Sequence, residues 1–397
     1  VRPAASPEQI EAILDLLAEA ERPAIIAGAG SVLSPCAKDL GDLATLTGTP
    51  VVTNSKGHGV LAPDHPAYGG PAGVLAMAAL AGAAPDLVLL LGARMGMFTG
   101  GRGGSVIPAG AKVVQIDIDG GEIGRLRGVD ISVVADASAA VAGLLSAAKG
   151  RSWPDRAGWL ATLKRQDDLR RAAFRDAPAQ TRPGYLHPSH AVAAVFDALS
   201  PETLVVSDGG EAGAWVAQHA RPSGPGSFMT CGYLGCLGVG PGFAIGAARA
   251  QPGRPIVCFT GDGGAGFNIQ EFDTMVRHRL PILTVILNNA CWGMSQNGQD
   301  LVFGRNRRAA VALAETHYEA VAAGFGAHGE RVDRFEDIGA AVRRAQASGL
   351  PACLNLITDP EVVHPVTVAM VGDVSGQDSI PIPYYENIPL RPAWAAA

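Results

Sequence analysis

No C-x-x-C pair occurs in the chain of 397 residues: the six cysteines, Cys36, Cys231, Cys236, Cys258, Cys291 and Cys353, are scattered. The spacing supports neither a zinc site nor a disulfide framework, and reduced thiols in a cytoplasmic protein are the expectation. A basic block is also missing. With 31 Lys and Arg against 37 Asp and Glu, the net charge is -6, so nothing is arranged to neutralise a phosphate backbone and nucleic acid is not an expected partner. The nine His never pair at metal-ligand spacing. Val1-Arg2-Pro3 has no signal-peptide shape and no initiator Met, and a cut end is expected there. The one long charge-free stretch, Pro222 to Ala248, is interrupted by eight Gly and three Pro. It reads as loops around a buried helix, with no membrane partner.

What is abundant is apolar: 48% of residues, against 17% charged. That composition suits large buried cores, and the length suits two or three domains. Ser6-Pro7-Glu8-Gln9 carries an N-cap Ser, a Pro at the first helical position and a capping-box Gln, with Ile10, Ile13, Leu14 and Leu17 following at helical spacing. Apolar runs then alternate with helical stretches. Strands are expected at 23–27, 50–53, 86–91 and 112–118, and again at 203–207, 255–260, 282–287 and 352–357. Continuous apolar strands between helices imply parallel sheets covered on both faces. The fold class is therefore α/β, with two doubly wound, Rossmann-like modules. Expected boundaries are 1–150 for the first module, 151–185 for a charged, Pro-punctuated connection, 186–360 for the second module and 361–397 for a tail or lid.

The chemistry concentrates between Ile256 and Met294. The run IVCFT leads into Gly261-Asp262-Gly263-Gly264; after a helix, ILTVIL ends in Asn288-Asn289. Two strand C-termini thus present polar residues at the edge where open α/β sheets bind ligands. Magnesium takes oxygen ligands and shares phosphate oxygens. Asp262 offers a carboxylate, Asn289 an amide oxygen and Cys291 a main-chain carbonyl. Gly263 and Gly264 let N–H groups approach a diphosphate. Either motif alone is a common turn; the pair, 27 positions apart with strand, helix and strand in order, is far more specific.

GDGG followed by NNACWGM resembles the diphosphate-binding motif of thiamine diphosphate enzymes. The resemblance implies Asp262, Asn289 and the Cys291 carbonyl as Mg2+ ligands, with Gly261, Gly263, Gly264, Trp292, Gly293 and Met294 around the cofactor. SDGGE, with Gly210 and Glu211, resembles the neighbouring loop that contacts the diphosphate. CGYLGCLG resembles the stretch that supports the bent cofactor, with the Gly235 carbonyl accepting from the aminopyrimidine and Leu237 wedged beneath the bend. Cys231, Met294, Gln296 and Asn297 are the implied substrate-pocket residues. Residues 1–150 resemble the central domain of the same family. PDLVLLLGARMGMFTG, GRLRGV and HYEAVAAGFGAHG extend the likeness to acetolactate synthase, benzaldehyde lyase and 2-hydroxyacyl-CoA lyase. Benzaldehyde lyase has His, Ala and an aromatic residue where this chain has Cys231, Met294 and Gly298, so its aryl pocket is not reproduced. The tail around Pro383-Tyr384-Tyr385-Glu386-Asn387 also extends beyond the benzaldehyde lyase pattern.

The family implies a carbon–carbon lyase or carboligase acting on a small carbonyl substrate, as a homodimer or homotetramer. It also implies a pyrimidine-binding domain holding the activating Glu. No residue here takes that role, so the expectation is a fragment or one half of a split enzyme, inactive alone, with acetolactate synthase-type condensation of pyruvate and a non-catalytic cofactor-binding homologue as the alternatives. Gly28-Ala29-Gly30 is half a dinucleotide fingerprint, and the resemblance implies a module that holds FAD, the ADP part of coenzyme A, or no ligand. Arg94, Asp117, Asp119 and Asp136 are candidates for such a ligand, with turn and surface roles the stronger expectation. The Arg305 to Arg308 cluster is expected on a solvated face.

Overall fold

A computed structural model describes residues 2–96, 99–101, 104–371, 379–380 and 391–392. The tail motif at 383–387, and part of the stretch from Met95 to Gly104, lie outside the described residues.

The chain forms two compact units, Val1–Ala173 with Arg221–Gly226, and Phe174–Ala220 with Ser227–Ala397. The first holds six strands, β1 (Pro23–Ala27), β2 (Val51–Thr53), β3 (Tyr68–Pro71), β4 (Leu87–Leu91), β5 (Lys112–Asp117) and β6 (Ile131–Val134). They pair in parallel in the order β3-β2-β1-β4-β5-β6. Alternate residues serve opposite cores. Ile25, Leu89 and Leu91 face one, Ala24, Ile26, Val88 and Leu90 the other, which is why these strands read as unbroken apolar runs.

The capping box forms as the sequence requires: Ser6 Oγ accepts from Gln9 N–H, and Ser6 N–H donates to Gln9 Oε1. The expected connection, 151–185, divides between the units: residues up to Ala173 belong to the first and those from Phe174 to the second. Its helix, Ala157–Ala172, buries Trp159 and Leu163 in the first unit's core, and the Trp159 indole donates to Pro23 C=O at 2.8 Å. Two apolar side chains one helical turn apart hold it there.

The second unit begins with a small antiparallel pair, β7 (Gln180–Arg182) and β8 (Tyr185–Leu186). Its main sheet contains β9 (Leu204–Ser207), β10 (Phe228–Thr230), β11 (Ile256–Gly261), β12 (Leu283–Asn288), β13 (His328–Val332) and β14 (Ala352–Ile357). All pairs are parallel, in the order β10-β9-β11-β12-β14-β13. Again the faces alternate: Val257, Phe259, Val285 and Leu287 line one core, Ile256, Cys258 and Ile286 the other. The charge-free stretch is resolved into β10, a short turn and the helix Gly240–Ala250. Among the described residues, no helix is long and apolar enough to cross a membrane.

Candidate active site

Strand β11 passes directly into the helix Asp262–Asn268, with Gly261 as its N-cap. A second short helix, Glu271–Arg277, follows before β12. Asp262 is buried at 3% exposure. One carboxylate oxygen accepts from Gly263 N–H at 2.8 Å, and the other from Cys291 N–H at 3.1 Å. The second bond draws the end of β11 to the loop after β12. Burial pushes the Asp262 carboxyl up to about 6, although neighbouring N–H groups oppose it. Among the described residues no Lys, Arg or His pairs with it.

The loop after β12 is shaped by its own side chains. Asn288 Oδ1 accepts from Ala290 N–H at 3.2 Å, and Asn289 Oδ1 accepts from Cys291 N–H at 3.4 Å. Ala290 takes a left-handed φ of 54°. Cys291 participates through its main chain; burial pushes its thiol up to about 12, so it stays protonated. Trp292 lies over Gly263: a Cβ there would stand 2.2 Å from the ring, so only Gly allows this approach.

The other two loops converge on the same edge. Leu237 reaches over the turn after β9; a Cβ at Gly209 or Gly210 would come within 3.1 or 3.3 Å of Leu237 Cδ2. Asp208, absent from the sequence-derived candidates, organises this junction. Its carboxylate accepts from Gly209 N–H, Gly238 N–H and the Thr260 hydroxyl at 2.8, 2.9 and 2.9 Å. Its position directly after a strand end was the available signal. Gly235 is exposed and Cys231 half-buried, with burial raising the Cys231 thiol.

Glu211 is held by protein donors and lies beside Gly293, where a Cβ would stand 2.8 Å from Glu211 Oε2. It is buried, and its carboxylate accepts from Asn297 Nδ2 at 3.1 and 3.2 Å, from His364 N–H at 3.1 Å and from the Thr367 hydroxyl at 2.9 Å. Its acceptor sites are thus engaged with the helix Gly293–Phe303 and with the segment at the root of the tail. Gln296 and Asn297 are both buried on that helix, while Met294 is half-buried. Arg308 pairs with Asp300 and Arg305 with Glu361, so these two arginines already have carboxylate partners.

Comparison with known proteins now bears on this geometry. Residues 208–356 match the description "Thiamine pyrophosphate enzyme, C-terminal TPP binding domain", and residues 10–144 match "Thiamine pyrophosphate enzyme, central domain". The chain belongs to the thiamine pyrophosphate enzymes. Among its relatives, a probable acetolactate synthase of Mycobacterium bovis is 32% identical over 363 residues, covering 91% of this chain and 64% of the relative. Human 2-hydroxyacyl-CoA lyase 2 is 29% identical over 344 residues, covering 84% and 52%. Sulfoacetaldehyde acetyltransferase of Castellaniella defragrans is 29% identical over 361 residues, covering 85% and 60%. The chain spans about half to two thirds of the length of these relatives.

The first unit of this thiamine pyrophosphate enzyme chain shows main-chain packing at its half fingerprint. Gly28 N–H donates to Leu91 C=O and Gly30 N–H to Gly92 C=O, both at 3.0 Å. A Cβ at Gly28 would stand 2.3 Å from Gly92 O. The candidate polar residues there have local roles. Asp136 caps the helix Ala137–Ala148, Asp117 and Asp119 accept turn N–H groups, and Arg94 pairs with Glu122.

Proposed function

We propose that the second unit holds the diphosphate of thiamine diphosphate through Mg2+, in a carbon–carbon lyase or carboligase. The observation that carries this is the 3.1 Å bond between Cys291 N–H and the Asp262 carboxylate, which brings both halves of the motif to one point. The donor set is one carboxylate, one amide oxygen and one main-chain carbonyl, all oxygen, as magnesium prefers. Among the described residues no cluster of three His, Cys, Asp or Glu offers a rival metal site. A buried carboxylate held up to about 6 by burial is one that a bound cation would stabilise in its charged form. The residues present fit the group.

In this reading Asp262, Asn289 and the Cys291 carbonyl hold the metal. Gly261, Gly263 and Gly264 form the close-approach floor, Trp292, Gly293 and Met294 its wall, and Gly210, Gly235 and Leu237 the support beneath the cofactor. Glu211 acts behind this wall by tying Asn297 in place. When bound, thiamine diphosphate supplies the carbon nucleophile and electron sink for cleaving or joining carbon–carbon bonds. Cys231, Met294, Gln296 and Asn297 border the substrate. The substrate is a small carbonyl compound: a 2-hydroxy ketone, a 2-keto acid or a 2-hydroxyacyl-CoA. The acetolactate synthase and 2-hydroxyacyl-CoA lyase relatives support the last two. A pyrimidine-binding domain, on this polypeptide or a second subunit, would supply the activating Glu within a homodimer or homotetramer. Gly28 and Gly30 offer the diphosphate of FAD or coenzyme A no free N–H, so tight coenzyme A binding would have to use other groups and would favour acyl-CoA chemistry.

Calorimetric titration with thiamine diphosphate, with and without Mg2+, tests the reading. The expected result is metal-dependent binding that Asp262→Ala abolishes; unchanged affinity in Asp262→Ala would refute the metal assignment.

A further inference from the structure

One short segment, residues 311–318, grips both strand ends of the site. Trp292 N–H donates to Val311 C=O, and Leu313 N–H to Ala290 C=O, each at 2.8 Å. Between them Cys291 and Ala312 pair as an isolated antiparallel bridge. Further along, Thr316 C=O accepts from both Asn288 Nδ2 and Asn355 Nδ2 at 3.1 Å. Asn288 Nδ2 also donates to Asn355 Oδ1 at 3.1 Å, and Asn355 Nδ2 to Glu319 Oε2 at 2.7 Å. Tyr318 then turns inward: it is buried, and its hydroxyl donates to the Asp262 main-chain carbonyl at 2.8 Å. The loop residue at the centre of this grip, Ala290, is in the left-handed region, a conformation that a non-Gly residue keeps only when its surroundings impose it.

We propose that residues 311–318 form a brace that sets the geometry of the metal loop, with Tyr318 as its positioning residue. This rests on the magnesium reading above. The segment is bonded both to the main chain at Asp262 and to the main chain at Ala290 and Trp292. Its carbonyls and N–H groups fix the loop after β12, and the Tyr318 hydroxyl fixes the peptide that carries the Asp262 carboxylate. The distance and angle between the two sets of metal oxygens therefore depend on it. Mg2+ demands near-ideal octahedral geometry at about 2.0–2.1 Å, whereas Ca2+ accepts six to eight ligands at about 2.3–2.6 Å in flexible arrangements. A loosened brace should therefore penalise the smaller ion selectively.

The test compares Tyr318→Phe with the parent chain, which retains the ring and its packing. Thiamine diphosphate binding is titrated calorimetrically at a series of Mg2+ and of Ca2+ concentrations, with circular dichroism as the check on folding. The expected result is an Mg2+ requirement raised about fivefold or more, the equivalent of one lost hydrogen bond, and a Ca2+ requirement changed by less than about twofold. An equal rise for both ions would make Tyr318 merely structural and overturn the proposal, as would no change for either. If the parent chain binds thiamine diphosphate with neither ion, the magnesium reading itself fails and the brace falls with it. If the parent binds and only the selectivity is unaltered, the brace alone fails.

Discussion

In the metal-free protein, Asp262 should make the second unit less stable as pH rises from about 4 to about 6. The folded state holds the Asp262 proton up to about pH 6, while the unfolded chain releases it near the usual 3.8. Between those values the folded form binds more protons, so stability falls with rising pH through the window. The full penalty is present above it and absent below it. Moving the carboxyl from 3.8 to about 6 corresponds to about 3 kcal/mol. Asp262→Asn removes the titration but keeps the shape. Its amide meets the Gly263 and Cys291 N–H donors less well, but that cost does not vary with pH and cancels between two pH values. Relative to the parent, Asp262→Asn should therefore gain about 2 kcal/mol between pH 4 and pH 7, because part of the penalty is already present at pH 4. Scanning calorimetry in a chelator, resolving the second unit's transition, measures this. Parallel pH profiles for the two proteins would refute the reasoning. Because the ligating carboxylate must be ionised, Mg2+-dependent cofactor binding should weaken below about pH 6.

Gly263→Ala places a Cβ 2.2 Å from the Trp292 ring. It should displace the indole, cost about 1–3 kcal/mol and shift tryptophan emission; an unchanged spectrum and melting temperature would contradict the close approach. Glu211→Ala leaves the donors of Asn297, His364 and Thr367 unmatched in a buried site. It should cost about 3 kcal/mol in urea unfolding and speed amide exchange at His364, and protection at His364 equal to the parent's would count against the contact. Arg279 has φ 53° after the helix Glu271–Arg277, with Leu280 N–H returning to Met275 C=O. Arg279→Gly should stabilise the second unit by about 1 kcal/mol, and a fall in its melting temperature would show that the arginine side chain matters more than the backbone strain.

Much of the fold was legible because burial leaves a period in the chain. The eight inner strands, β1, β2, β4, β5, β9, β11, β12 and β14, are covered on both faces, and each appears as a short apolar run. In the two main sheets, the four strands that sequence reasoning missed, β3, β6, β10 and β13, are the four sheet edges; the small pair β7 and β8 was missed as well. β3 contains Gly69-Gly70, β10 has three residues, and β13 reads His-Gly-Glu-Arg-Val. An edge strand needs only one partner and is often part-solvated, so no apolar run marks it. The site divides in the same way. Asp262 and Asn289 were recognisable because strand ends, glycines and spacing place them at the ligand-binding edge of a parallel sheet. Tertiary structure alone decided that Glu211 is engaged by Asn297 and the root of the tail, that Asp208 joins three loops, and that Tyr318 reaches Asp262. These contacts join residues tens to more than a hundred and fifty positions apart. Local periodicity reports which face of an element is buried, but a hydrogen bond between distant segments exists only once the sheet has brought them together.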